Sequence, residues 1–165
     1  MRNGKKLVLV SACLLGQNCK YSGGNNRNEA VLAYLRDKEV LPVCPEQLSG
    51  LPTPRPRVEL RNGRAVNEFG EDVDAQFRLG VQRALALLDD AAVDEAVLQS
   101  RSPTCGARQI YDGTFSGTLL PGQGLLAQAL LERGIPVVDA AEIAEDGTKK
   151  EPLQTKEKTN EQSQR

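Results

Sequence analysis

Four cysteines are the residues best suited to chemistry in this 165-residue chain, and three of them follow apolar runs typical of buried strands. These three are Cys13, Cys44 and Cys105, which follow the runs 7–11, 40–43 and 95–99. In an open parallel sheet the carboxyl ends of the strands share one edge, and ligands bind in the crevice there. We therefore expect the three thiols, which are far apart in sequence, to converge in space.

Thiolates are soft ligands that select zinc, copper(I) or iron–sulfur clusters. The chain contains no histidine, which excludes mixed Cys–His zinc sites and every catalytic pair that uses an imidazole. It also lacks the Cys-x-x-Cys pairs from which structural zinc sites usually draw their ligands. A cubane cluster held by three cysteines leaves one iron without a protein ligand, and that iron can act as a Lewis acid toward a substrate atom.

Cys19, the remaining thiol, lies in a loop rich in glycine and asparagine that runs from Cys13 to about residue 27. It has two interpretations. It is either a fourth metal ligand, which would close the site, or an unligated loop thiol, which could accept sulfur. We favour the second because Cys19 does not stand at the end of a strand.

Proton transfer must use a carboxylate, lysine, tyrosine or thiol, because no histidine is present. Glu46 follows Cys44 by two residues and should face the same crevice, so it is our preferred general acid/base. Ser102 precedes Cys105 by three residues and could bond a polar substrate edge. Lower-ranked candidates on a predicted hairpin are Tyr111 and Asp112.

Two arginines, Arg55 and Arg57, lie in a segment that is interrupted by prolines. Their side chains could bind a phosphate or a carboxylate, or they could simply solvate a loop. No phosphate-binding glycine motif lies nearby, so we expect solvation.

Alternation of strand and helix patterns predicts an α/β fold: a three-layer sandwich with a mostly parallel, Rossmann-like sheet of four to five strands. Hairpin insertions should lie near the carboxyl ends of the strands. The fourth strand is predicted at 135–138. The helices are predicted after Asn28, over 72–88 and from Gly122 or Gly124 to Gly134, and the hairpins over 58–66 and 109–116, with turns at Asn62-Gly63 and Asp112-Gly113.

Length and composition predict a single domain over residues 1–144 and a charged, disordered tail over 145–165. The net charge of −1 gives no global basic field for nucleic acid. No apolar run approaches the ~18 residues of a membrane span. The basic amino end is followed by too short an apolar run for a signal peptide, so we expect a cytoplasmic protein, either a monomer or a homodimer.

Four motifs occur in order along the chain. They are SACLLG at 11–16, KYSGG at 20–24, VCPEQLSGLPTPR at 43–55 and SRSPTCG at 100–106. Together they resemble the small bacterial family that contains the thiouracil desulfidases. The resemblance extends from about residue 7 to residue 138, which is most of the predicted domain.

This resemblance implies a [4Fe-4S] cluster bound by Cys13, Cys44 and Cys105. It further implies a non-redox desulfuration of a thiolated nucleobase such as 2-thiouracil, or of a related thioamide. The unligated iron would take the thiocarbonyl sulfur, and water would replace that sulfur on the carbon. Glu46 would be the acid/base and Ser102 a substrate or catalytic contact.

Two alternatives remain open at the level of sequence. The first is a non-catalytic zinc-binding module that uses all four cysteines. The second is a thiol redox or sulfur-carrier protein in which Cys13 and Cys19 form a disulfide or pass on a persulfide.

Overall fold

A four-stranded parallel sheet lies at the centre of the computed structural model, which describes residues 4–88 and 92–148. Its strands are β1 (Leu7–Ser11), β2 (Glu39–Val43), β5 (Glu95–Leu98) and β8 (Val137–Asp139). Their order across the sheet is β2-β1-β5-β8, and every neighbouring pair is parallel. The predicted α/β fold and parallel sheet are therefore confirmed.

Both faces of the sheet are buried, as the continuous apolar character of β1 predicts. Val8 and Val10 pack into a cluster on one face, together with Val31 and Tyr34. Leu9 packs into a larger cluster on the opposite face. Successive side chains of a strand point to opposite faces, so this alternation places β1 between two apolar layers.

Helices complete the three predicted layers. The helices are α1 (Glu29–Tyr34), α2 (Pro45–Leu48), α3 (Asp74–Ala86) and α4 (Leu125–Glu132). Residues of α3 and α4 pack on the face that contains Leu9, whereas α1 packs on the other face. From β1 the chain proceeds first to β2 on one side and later to β5 on the other, which makes the β1–β5 junction the topological switch point.

Local capping signals set two of the helix ends. The side chain of Asn28 accepts a hydrogen bond from the Val31 amide at 3.1 Å, which confirms it as the cap of α1. After α4 the chain reaches Gly134 with a φ of 79°, the left-handed conformation that favours glycine beyond a helix.

The first predicted hairpin is confirmed. It consists of β3 (Val58–Arg61) and β4 (Arg64–Asn67), paired antiparallel. The connecting Asn62 and Gly63 have φ values of 51° and 81°. Positive φ at both central positions is what a two-residue turn of this type requires.

The second hairpin has a longer loop than predicted. Its strands are β6 (Gln109–Tyr111) and β7 (Leu119–Pro121), so the chain turns over residues 112–118 and not at Asp112-Gly113. The Glu59 carboxylate accepts hydrogen bonds from the Gly113 and Phe115 amides, each at 3.0 Å. The loop is therefore held against the first hairpin, and this tertiary contact overrides the local turn preference.

The chain after β8 forms a short 3-10 helix, Ala140–Glu142, which the Asp139 side chain caps. Residues 145–148 form a turn in which the Ala144 amide donates to the Thr148 carbonyl at 2.8 Å. The rest of the predicted disordered tail lies outside the described residues. Within those residues no helix is both long enough and apolar enough to cross a membrane.

Candidate functional site

A cavity of about 750 Å³ opens beyond the carboxyl ends of the parallel strands. All six site residues proposed from the sequence line it. They are Cys13, Cys19, Cys44, Cys105, Glu46 and Ser102. Of the lower-ranked candidates, Tyr111 also lines the cavity, whereas Asp112 does not and bonds to Thr114 instead. The cavity lies at the switch point of the sheet, where α/β folds bind their ligands.

Cys13 lies in the 3-10 helix Ala12–Leu15, directly after β1. Asn26, at the far end of the following loop, donates its amide N–H to the Cys13 carbonyl at 2.9 Å and its side-chain N–H to the Cys13 sulfur at 3.4 Å. Hydrogen bonding from Cys19 lowers the pKa of the Cys13 thiol to about 7, against the opposing effect of burial. This thiol is therefore readily converted to the thiolate that a metal requires.

Cys44 follows β2 directly and precedes the first turn of α2, with Pro45 at the first helical position. Hydrogen bonding from Cys19 is the main cause that lowers the pKa of the Cys44 thiol below its ordinary value. The Cys44 sulfur also lies 3.7 Å from the carbonyl oxygen of Cys19. The end of β2 is thus linked to the loop that follows β1.

Cys19 is buried, with 1% of its surface exposed, and packs against Ala12 and Cys13. It bonds to both Cys13 and Cys44, and these bonds together with burial raise its pKa far above the ordinary thiol value. The loop that contains it is therefore folded onto the other thiols. Its position beside two other cysteines was not evident from its place in a glycine-rich segment.

Cys105 lies in the loop after β5 and packs in the larger apolar cluster. Burial raises the pKa of this thiol to about 12, despite hydrogen bonds with Ser11 and Thr104 that act in the opposite direction. A neighbouring cation would offset that desolvation, because metal coordination deprotonates a thiol outright.

Glu46 is fixed at both of its carboxylate oxygens. Arg55 Nη2 donates to Oε1 at 3.1 Å, and Thr104 Oγ1 donates to Oε2 at 3.3 Å. The carboxylate is mostly buried, with its side chain 15% exposed, and it lines the cavity. These contacts fix the orientation of an acid/base candidate in the cavity that the cysteines also line.

Arg55 is a residue whose role the sequence analysis missed. Its side chain is 2% exposed, so the expected solvating role is wrong for this arginine. Besides Glu46 it donates to the Cys19 carbonyl at 2.8 Å and to Thr53 Oγ1 at 2.7 Å. Arg57 fits the expectation better, because its side chain is 48% exposed and pairs with Glu68 at the surface. The only sequence signal for Arg55 was its place in the third motif, close after Glu46.

Ser102 forms a compact turn in front of Cys105. Its hydroxyl oxygen accepts the amide N–H of Thr104 at 3.1 Å and that of Cys105 at 3.0 Å. Serine hydroxyls commonly bond nearby backbone amides in turns, and Ser102 also lines the cavity. Thr104 is the second functional candidate that the sequence analysis did not mark.

The thiol side chains that line the cavity are chemically suitable ligands for a soft metal. Four thiols from three separate segments line one cavity, and three of them come from the ends of different parallel strands. Within residues 4–88 and 92–148, no set of three or more Cys, Asp or Glu side chains is arranged around a single point as one metal ion requires.

Comparisons with known proteins show the family of this chain. The family model described as 2-thiouracil desulfurase matches residues 8–142. The uncharacterized protein YbbK of Bacillus subtilis (strain 168) is 33% identical over 147 residues, which cover 83% of this chain and 97% of that protein. The solved structure of the [4Fe-4S]-dependent thiouracil desulfidase TudS is 38% identical, covers 84% of this chain and 93% of its own, and superposes with a TM-score of 0.76. The resemblance inferred from the four motifs is thereby confirmed, and the chain belongs to the 2-thiouracil desulfurase family of enzymes.

Proposed function

We propose that this enzyme removes the sulfur of a thiocarbonyl group from a thiouracil-like base, without net oxidation or reduction. Water supplies the oxygen: the C=S bond becomes C=O, and the sulfur leaves as sulfide. The observation that supports this most directly is that Cys13, Cys44 and Cys105 line one cavity together with Glu46 and Ser102. Family membership and the likeness to a thiouracil desulfidase support the same reaction.

Cys13, Cys44 and Cys105 are the proposed ligands of a [4Fe-4S] cluster. They follow three different parallel strands, so the sheet holds them at separate points around the cavity. When bound, such a cluster supplies an iron without a protein ligand, which acts as a Lewis acid toward the thiocarbonyl sulfur. The neighbouring Cys19 is left as an unligated thiol in this assignment.

Glu46 is proposed to take a proton from the attacking water and to return it to the departing group. Its two oxygens are already bonded to Arg55 and Thr104, so the carboxylate does not have to be oriented when substrate binds. Ser102 is proposed as a second catalytic contact, because it lines the same cavity.

The test compares single cysteine variants after anaerobic reconstitution with iron and sulfide. We expect wild-type protein to bind about four irons per chain, to show visible charge-transfer absorption and to convert 2-thiouracil to uracil and sulfide. Replacement of Cys13, Cys44 or Cys105 by alanine should abolish both iron binding and turnover. The Cys19→Ala variant is the matched control and should still bind the cluster.

Other outcomes separate the alternatives. Protein that binds no iron but holds one tightly bound zinc, with Cys19 needed for folding, would support a structural zinc module and contradict the proposal. A Cys13–Cys19 disulfide or persulfide needed for turnover would support a sulfur carrier. Iron-loaded wild-type protein that leaves 2-thiouracil intact would contradict the proposed substrate.

A further inference from the structure

Thr104 connects the two proposed catalytic side chains. It is buried, with 1% of its surface exposed, and its hydroxyl lies between Glu46 and Ser102. Thr104 Oγ1 is 3.3 Å from Glu46 Oε2 and 3.1 Å from Ser102 Oγ. Glu46 and Ser102 are 56 positions apart in sequence, and Thr104 bonds to both.

The donor of each hydrogen bond between Ser102, Thr104 and Glu46 can be assigned by counting hydroxyl protons and lone pairs. Ser102 Oγ already accepts two amide N–H groups, from Thr104 and Cys105, which use both of its lone pairs. Its one hydroxyl proton is therefore left to donate, and Thr104 Oγ1 lies within reach. The Thr104 hydroxyl then has its own proton to donate to the Glu46 carboxylate, so the bonds run from Ser102 through Thr104 to Glu46.

Cys105 offers Thr104 a competing acceptor, but a poorer one. Its sulfur is 3.6 Å from Thr104 Oγ1, and sulfur accepts hydrogen bonds weakly. A carboxylate oxygen accepts a stronger, charge-assisted bond. The other oxygen of Glu46 is held by Arg55, so the bond from Thr104 completes the orientation of the carboxylate.

We propose that Thr104 is a positioning residue for the desulfuration: its hydroxyl joins Ser102 and Glu46 into one unit that faces the cavity. This inference rests on the proposed function, since it concerns how that site is organised. It assigns Thr104 no contact with the substrate. The residue acts by holding the two proposed catalytic groups in a fixed relation to each other.

The backbone of Thr104 has a separate structural role that a side-chain substitution leaves in place. Its carbonyl accepts the amides of Leu126 and Ala127, at 2.8 and 3.1 Å, and so anchors the start of α4. Valine has nearly the same shape as threonine but no hydroxyl. The Thr104→Val variant therefore removes the hydrogen bonds of the side chain while retaining the packing and the backbone anchor.

The experiment measures kcat and KM for 2-thiouracil with anaerobically reconstituted full-length protein. We expect Thr104→Val to lower kcat about tenfold to a hundredfold while KM changes less than about twofold. Thr104→Ser, which keeps the hydroxyl, should retain kcat within about threefold. Iron content and the visible spectrum should match the wild type in both variants. Thr104→Ala is a second variant without the hydroxyl, in case the valine variant does not fold.

The control is Thr118→Val, which removes an exposed hydroxyl that bonds only to Ser116 among the described residues. It should leave kcat unchanged.

A double variant tests whether Thr104 acts through Ser102. If the three residues work as one unit, Ser102→Ala combined with Thr104→Val should be no slower than the slower single variant.

Several results would overturn the inference. One is a wild-type kcat in Thr104→Val, and another is an equal loss of kcat in Thr104→Ser and Thr104→Val. Loss of iron from Thr104→Val would also overturn it, as would a kcat loss in the double variant equal to the product of the two single losses. Wild-type protein that is loaded with iron but inactive would instead contradict the proposed function.

In that case crystal structures test the positioning role without turnover. The Glu46 carboxylate should rotate away from Ser102 in Thr104→Val, and an unmoved carboxylate would reject the role.

Discussion

Arg55 shows at the scale of a single residue how the site is held in place. Its guanidinium bonds to groups from three segments: the loop after β1, α2 and its own proline-containing segment. Its amide also donates to the Tyr21 carbonyl at 2.8 Å. A guanidinium suits this position because it offers several donors in a fixed planar arrangement and remains charged when buried.

Removal of this buried charge should be costly. We expect Arg55→Met to lower the free energy of unfolding by about 3–5 kcal/mol at neutral pH, because Glu46 would be left mostly buried without its cation. Arg55→Lys should be intermediate, since an ammonium cannot reach the same set of acceptors. Urea unfolding of the reduced, cluster-free protein measures both values.

Arg57→Met is the matched control on the same segment. Its ion pair with Glu68 is partly exposed to solvent, so its loss should cost less than about 1 kcal/mol. Equal losses for the two arginines would show that the Arg55–Glu46 contact does not stabilise the fold.

At the scale of elements, α2 is the short helix that places Cys44 and Glu46, and its position depends on close contact with α3. Gly80 of α3 has no room for a side chain: an added Cβ would lie 2.0 Å from the Pro45 carbonyl oxygen and 3.0 Å from the Ser49 Cβ. The backbone of one helix therefore touches that of the other at this point.

The Gly80→Ala substitution should push α2 away from α3. Alanine normally favours a helix over glycine by about 1 kcal/mol, yet here we expect a net destabilisation of about 1–3 kcal/mol from the clash. Turnover should fall as well, because α2 positions Glu46. Gln82→Ala, at an exposed position of α3, should change the unfolding free energy by less than about 0.5 kcal/mol. A gain in stability from Gly80→Ala in thermal unfolding would contradict the packing described.

The start of α3 should give the protein a pH-dependent component of stability. Burial acts to raise the pKa of Asp74, but bonds from the Ala65 amide at 3.0 Å and Arg78 at 2.7 Å outweigh it and lower that pKa below its ordinary value. A carboxyl group whose pKa is depressed by folding stabilises the folded state above its unfolded pKa of about 3.9. That contribution is lost as the pH falls through the folded pKa.

We therefore expect Asp74→Asn to be less stable than the wild type at pH 7, with the difference shrinking below about pH 4. Urea unfolding of both proteins across this range measures the difference. A gap that stays constant down to the lowest pH would show that the charge of Asp74 does not contribute.

At the scale of the whole molecule, the cavity is assembled by chain segments that are distant in sequence. The loops after β1, β2 and β5 each contribute a cysteine, so a group bound by all three would add further bonds between segments that are distant in sequence. A ligand that binds only the folded state raises its stability by mass action.

Reconstitution with iron and sulfide should therefore raise the melting temperature by about 5–10 °C relative to the cluster-free protein. Anaerobic differential scanning calorimetry of the two forms measures the shift. The Cys105→Ala variant, treated in the same way, should show no such increase. Full iron loading without any rise in melting temperature would indicate that the metal is not held between the three segments.

Much of the fold was determined by local sequence patterns. Apolar runs marked the strands, Asn28 and Gly134 marked helix ends, and Asn62-Gly63 marked a hairpin turn, because each feature acts over a few neighbouring residues. The positions of Cys13, Cys44 and Cys105 after strands also predicted that they would share a cavity, since parallel strands align their carboxyl ends.

Only the tertiary structure decided the contacts between distant segments. It buried Cys19 against Cys13 and Cys44, and it paired Arg55 with Glu46. It also extended the second hairpin loop by bonding it to Glu59. Local patterns cannot specify such contacts, because the side chains meet only after the sheet has brought the loops together. The sequence alone thus predicted that the three strand-end cysteines, Glu46 and Ser102 would share a cavity. The folded chain added Arg55 and Thr104 to its lining and determined how the side chains are oriented.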